Sequence, residues 1–116
     1  MGKISLYLIP KDEIEKFKYE LEQFGIRFKE DPKFEIIKIR GRIGYISPHA
    51  FADTQYIIYT LYTDNHRGVK VIHNKNNQVI FRLFNELLGE NKDIGPFNSD
   101  YVIVDFYKGT LTIQFP

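Results

Sequence analysis

The strongest constraint on the fold is a helical pattern in residues 12–24, where apolar side chains recur at the spacing of one helix face. These side chains are Ile14, Phe17, Leu21 and Phe24. Apolar residues three or four positions apart share one side of an α-helix, and Gly25 supplies the left-handed conformation common just after a helix end. The segment therefore predicts an amphipathic helix that buries one face against other elements.

Segments rich in β-branched and aromatic residues flank this helix. Residues 3–9 end at Pro10, which cannot continue a central strand, and residues 33–40 follow an Asp31-Pro32 turn. Both segments favour strands. The first forty residues are therefore expected to contain a strand, the helix and further strand.

The middle of the chain predicts a short helix followed by a hairpin. Ser47 before Pro48 is typical of a helix start, which places the short helix near 48–54. Residues 56–63 and 69–73 favour two strands joined by a polar turn, although one longer helix running on from 48 is an alternative.

A second main helix is predicted over 78–88, because six apolar residues form a broad stripe that stops at Gly89. They are Val79, Ile80, Leu83, Phe84, Leu87 and Leu88. Residues 90–100 are polar and indicate a loop. Residues 101–107 and 110–115 then indicate a last hairpin around Lys108-Gly109.

Together these elements predict an α+β fold in a single domain, residues 1–116. We expect a mixed or antiparallel sheet of about five to seven strands, covered mainly on one face by the two main helices (12–24, 78–88), with the short helix near 48–54.

Composition excludes several kinds of protein. The chain has no Cys, so it has no disulfide, thiolate metal site or cysteine nucleophile, and sixteen Lys and Arg nearly balance fifteen Asp and Glu. Ten Phe and eight Tyr favour a folded core over disorder. The start of the chain lacks a signal peptide or membrane span, so we expect a cytoplasmic protein. Abundant Ile, Asn and Lys with only two Ala indicate an AT-rich genome, such as that of a virus or mobile element.

No phosphate-binding loop is present, because Gly41 and Gly44 lack the third glycine and the Lys-Ser/Thr pair that such a loop requires. His49 and Asp53 are one helical turn apart, but two ligands do not make a metal site. We therefore expect neither a metal nor a cofactor.

Residues 38–73 concentrate cations, tyrosines and all three histidines. The predicted ligand-binding residues are Arg40, Arg42, Tyr45, Tyr56, Tyr62 and Lys70. Guanidinium groups pair with phosphates and phenol rings stack on bases, so the segment indicates a small binding protein for nucleic acid or a nucleotide. The alternative for the tyrosines is that their rings belong to the core and only their hydroxyls reach water.

A second hypothesis is a metal-independent nuclease or phosphodiesterase acting on RNA or cyclic oligonucleotides. Its catalytic residues would be His66 or His49, moving a proton, and Arg67, stabilising the phosphorane. The simpler interpretation of residues 64–68 is a solvated turn.

A third hypothesis is a protein-interaction module, such as a viral or phage inhibitor of a host complex. The uncharged segment 110–115 would pair with a second copy if it were an edge strand, so a homodimer is a further expectation. The helix at 12–24 alternates Lys and Glu on its polar face, which is not typical of a membrane-surface helix.

Overall fold

The fold is given by a computed structural model that describes residues 11–51, 54–99 and 102–115, and the side chains in these ranges outside 45–56. In chain order the elements are α1 (Lys11–Gln23), β1 (Lys29–Asp31), β2 (Ile36–Arg40), β3 (Arg42–Phe51), β4 (Thr54–Tyr62), β5 (Arg67–Asn74), β6 (Gln78–Asn85), β7 (Glu90–Asn98), β8 (Ile103–Tyr107) and β9 (Thr110–Gln114).

Helix α1 confirms the helix predicted over 12–24, and it buries Ile14, Phe17 and Leu21. Gly25 follows with a φ of 68°, the left-handed conformation that lets the chain leave the helix. The ring of Phe17 lies 5.1 Å from that of Phe81 in β6 and 5.9 Å from that of Phe115. Aromatic packing of this kind fixes the helix in the core.

The strands form two antiparallel sheets that pack against each other. A four-stranded sheet has the order β1-β2-β9-β8, and a five-stranded sheet has the order β3-β4-β5-β6-β7. The rings of Tyr59 and Phe106 stack at 5.3 Å between the sheets, and those of Phe97 and Phe115 meet edge-on at 5.8 Å. The α+β class is therefore correct in outline. Within the described residues, nine strands in two sheets replace the single sheet of five to seven strands that was predicted.

The second predicted main helix, over 78–88, is wrong. Residues 78–85 form β6, in which Val79, Phe81 and Leu83 are buried while Gln78 is exposed and Ile80 and Arg82 are half-buried. The chain then turns and returns as β7. Asn76 and Asn77 lie in the β5–β6 turn, where the Asn74 side chain accepts hydrogen bonds from the backbone N–H groups of Asn76 and Gln78.

The short helix near 48–54 and the loop over 90–100 are also wrong. Residues 42–51 form β3, and Pro48 is tolerated because β3 is an edge strand, where a missing N–H need not break a ladder. Residues 90–98 form β7, the opposite edge, which is polar because only Ile94 and Phe97 are buried.

Both predicted hairpins are confirmed as β4–β5 and β8–β9. The strand β9 lies between β2 and β8, however, so residues 110–114 do not meet the condition of an edge strand on which pairing with a second copy depended. The strand predicted over 3–9 lies outside the described residues.

Candidate nucleic-acid interface

The outer face of the five-stranded sheet is the side turned away from the core. Cross-strand register places Arg42 opposite Tyr62, Tyr62 opposite Gly68, and Gly68 opposite Phe84. Residues directly opposite each other in a sheet project to the same face. The row therefore crosses strands β3 to β6 and contains one cation, Arg42, and two aromatic rings, those of Tyr62 and Phe84.

The side chains in this row contact each other, and Lys70 of the neighbouring row contacts Phe84. The guanidinium carbon of Arg42 lies 5.2 Å from the centroid of the Tyr62 ring, and the Nζ of Lys70 lies 5.5 Å from that of Phe84. The two rings meet edge-on at 5.4 Å. These four residues, Arg42, Tyr62, Phe84 and Lys70, are called the cation–aromatic cluster below.

The hydroxyl of Tyr62 donates a hydrogen bond of 2.9 Å to Oε1 of Glu86, in the β6–β7 turn. This bond anchors the tyrosine ring at the border of the outer face. A ring held at its edge and supported by Phe84 is ordered before a ligand arrives, which lowers the entropy cost of stacking on it.

A second row on the outer face runs from Thr60 through Lys70 and Arg82 to Asp93. Arg82 and Asp93 form a two-pronged ion pair at 2.7 and 2.9 Å. The hydrogen bond from Arg82 holds the pKa of Asp93 below its usual range, so this pair contributes stability that is lost as pH falls through the lowered folded pKa. Arg82 is therefore partly neutralised.

A third row is apolar and consists of Ile58, Ile72 and Ile80, all half-buried. It is called the isoleucine row below. The outer face thus combines aromatic, cationic and apolar side chains within three neighbouring strands.

The side chain of Arg67, which was predicted as a catalytic group, contacts Asp64 and the chain segment that follows α1. Its Nε lies 3.1 Å from Oδ2 of Asp64, and its NH1 donates to the carbonyl oxygen of Phe24 at 3.4 Å, beyond the end of α1. A cation at this position satisfies a carbonyl that the helix leaves unpaired.

The turn at 64–67 is organised by Asp64. Its Oδ1 accepts hydrogen bonds from the backbone N–H groups of His66 and Arg67 at 3.0 and 3.1 Å. The bond from the His66 N–H is the main reason that the pKa of Asp64 lies below its usual range. This geometry is that of an ordered polar turn.

His66 lies at the opposite end of the five-stranded sheet from His49 and His73. The backbone of His49 pairs with Tyr56, six residues along β4 from Tyr62 and hence about 20 Å from the His66 turn at 3.4 Å per residue. His73 is two residues from the buried Val71 and therefore shares its face, the inner side of β5. It borders a cavity of about 330 Å³ between the sheets, lined also by Tyr59, Val104 and Phe106.

Arg40 lies in β2 of the other sheet, opposite Thr110, and is not part of the outer face. For Tyr45 and Tyr56 only the backbone is described, in β3 and β4. Of the predicted ligand-binding residues, the structure unites Arg42, Tyr62 and Lys70.

Phe84 and Arg82 were not predicted as members of this face, because both were assigned to a helix. The run from Val79 to Phe84 is apolar except for Arg82, so it fits a helix as well as a strand.

Within the part of the chain that the structure describes, no helix is long and apolar enough to cross a membrane. No group of three His, Cys, Asp or Glu residues in these ranges is placed to hold a metal ion. Comparison with known protein families, curated proteins and solved structures finds no match.

Proposed function

We propose that the protein binds single-stranded nucleic acid on the outer face of its five-stranded sheet. The supporting observation is the cation–aromatic cluster, in which Arg42 and Lys70 lie beside the rings of Tyr62 and Phe84. Sheets that bind single strands use aromatic rings for stacking and nearby cations for the phosphates.

The two parts of the cluster have different tasks in this proposal. Phe84 is buried at 2% exposure and supports the Tyr62 ring, whereas Tyr62 is half-exposed and offers a face to a base. Arg42 and Lys70 carry the charge that neutralises phosphates on either side. The neighbouring isoleucine row supplies an apolar surface for bases and sugars.

The nuclease hypothesis has less support from the geometry. Arg67 is engaged by Asp64 and by the Phe24 carbonyl, and the backbone of His49 lies far along the sheet from His66. The proposed function is therefore binding without cleavage.

The test is fluorescence anisotropy with an oligouridylate of about 12 nucleotides, a length suited to one small domain. Two neutralised phosphates on a single strand give a slope of about −1.4 for log affinity against log salt, so a tenfold rise in KCl should weaken binding about 25-fold. The variants Arg42→Ala and Lys70→Ala should each reduce the slope by about 0.7.

Matched controls are Arg40→Ala and Lys38→Ala, which remove exposed cations from the four-stranded sheet. Both should bind like the wild type. Absence of binding at low salt, or equal losses in the controls, would contradict the proposal. Recovery of the intact oligonucleotide after incubation in EDTA separates binding from metal-independent cleavage.

A further inference from the structure

The β6–β7 turn presents two leucines to solvent. Leu87 is 71% exposed and Leu88 is 67% exposed, the highest values among the large apolar side chains of the described residues. Exposed apolar groups placed side by side are typical of an interaction surface. Residues 86–90 are called the leucine tip below.

The leucine tip is held in a defined conformation. Oδ1 of Asn85 accepts hydrogen bonds from the backbone N–H groups of Leu87 and Leu88 at 3.1 and 3.3 Å. The N–H of Glu86 donates to the carbonyl oxygen of His66 at 2.7 Å, which fastens the tip to the neighbouring turn. The leucines are thus presented with little ordering left for a partner to impose.

The negative charge of the leucine tip limits which kinds of partner can bind it. Glu86 and Glu90 stand on both sides of the leucines, so the tip repels phosphates and anionic lipid headgroups. It fits an apolar surface that carries cations beside it.

The same chain contains such a surface. The isoleucine row lies one row beyond Lys70 on the outer face, and the tip borders that face because Glu86 accepts the hydrogen bond from Tyr62. Ile80 lies near the start of β6 and the tip follows its end. A two-fold axis that crosses β6 between them would seat each tip on the isoleucine row of the other copy.

We propose that the partner of the leucine tip is a second copy of this chain, bound through Leu87 and Leu88 to the isoleucine row beside Lys70. Because tip and row border one face, both contacts form at once and the assembly closes as a dimer instead of growing into a filament. If the proposed function holds, this dimer and nucleic acid compete for the outer face.

The experiment is sedimentation equilibrium of the full chain, without nucleic acid, from about 1 to 200 µM, a range that covers weak dimers. The wild type should dimerise, and the double variant Leu87→Ser, Leu88→Ser should raise the dimer Kd at least about tenfold. The matched control is Ile103→Ser, Tyr107→Ser on the edge strand β8, whose side chains are 55% and 65% exposed. This control should dimerise like the wild type. Circular dichroism verifies that each variant is folded.

Three results would overturn the dimer, and none of them depends on nucleic-acid binding. The first is a monomeric wild type throughout the concentration range. The second is a dimer lost in the β8 control and retained in the leucine variant, which would assign the interface to the β8 edge. The third is a monomer that sediments with phosphatidylcholine vesicles through its leucines, which would assign the tip to lipid.

Discussion

At the scale of single residues, Arg67 shows how one cation ties distant segments together. Its guanidinium connects the β4–β5 turn, through Asp64, to the Phe24 carbonyl that follows α1. Gly25 lies under the guanidinium with its φ at 68°, and a Cβ there would collide with NH1 of Arg67. The glycine and the arginine therefore form one helix-terminating unit.

We expect Arg67→Ala to lower the free energy of unfolding by about 1 to 2 kcal/mol, because the Phe24 carbonyl loses a charged donor. Gly25→Ala should be destabilising as well, through left-handed strain and displacement of the guanidinium. The double variant should cost less than the sum of the two, since both remove the same contact. Urea denaturation followed by circular dichroism measures all three.

The control is Arg27→Ala, which removes an exposed arginine near the same helix end and should stay within about 0.5 kcal/mol of the wild type. A wild-type stability for Arg67→Ala would show that the contact with Phe24 contributes nothing in solution.

At the scale of elements, the sequence predicted the helix and the hairpin whose local residue pattern is compatible with only one kind of structure. Helix α1 has an unbroken helical spacing and a terminal glycine. In the turn of the last hairpin, Lys108 and Gly109 have φ values of 48° and 76°. The Lys-Gly pair between two strand-like segments predicts such a turn. In both cases the turn chemistry and the apolar spacing agree.

Strand β6 could not be distinguished from a helix because it is apolar on both faces. Val79, Phe81 and Leu83 face the core, while Ile80 and Phe84 belong to the outer face. A run of this kind satisfies helical and extended spacing alike, and only its partners in the sheet decide. Edge strand β7 was missed for the opposite reason, since only Ile94 and Phe97 of its residues are buried, and β3 was missed because Ser47 and Pro48 are typical of a helix start.

The sequence predicted which types of residue form the candidate site, but it did not predict which individual residues lie together. Arg42, Tyr62 and Lys70 were suggested by residue type alone. Their alignment depends on cross-strand register, which turn lengths and burial set and which sequence spacing does not reveal. Phe84 stayed hidden because its strand was assigned to a helix.

Phe81 and Leu87 separate a strand from a helix at 78–88 by experiment. In the predicted helix Leu87 lies on the buried stripe and Phe81 does not, whereas in the structure Phe81 is fully buried and Leu87 is exposed. Phe81→Ala should therefore lower the free energy of unfolding by about 3 to 5 kcal/mol. Leu87→Ala should change it by less than about 0.5 kcal/mol, measured at a concentration where the chain is monomeric.

The opposite order of the two effects would contradict the strand. Ile80→Ala is a useful intermediate, because Ile80 is half-buried on the outer face and should fall between the two.

At the scale of the whole molecule, one core joins both sheets and the helix. Buried residues of α1, of β2 and β9, and of β4 to β7 belong to a single cluster that includes Phe17, Ile39, Leu61, Phe81 and Leu111. Gly41 is the single residue between β2 of the four-stranded sheet and β3 of the five-stranded sheet. Its N–H donates a hydrogen bond to the Gly109 carbonyl oxygen at 2.8 Å. The two sheets are therefore joined by a short connection and bury their apolar side chains in one common core.

We expect the two sheets to unfold together. Urea transitions followed by far-ultraviolet circular dichroism, which reports backbone, and by near-ultraviolet tyrosine signals, which report packing, should coincide. Two separate midpoints would show that the sheets are independent and would contradict a single domain.

The central position of β9 has a consequence for synthesis of the chain on the ribosome. The five-stranded sheet uses only residues 42–98 and can assemble as these emerge. The four-stranded sheet must wait, since β2 finds its neighbour β9 only after residues 110–114 have emerged. Until then part of the inner face of the nascent sheet lacks its cover, so a ribosome stalled before residues 110–114 emerge would present an aggregation-prone intermediate.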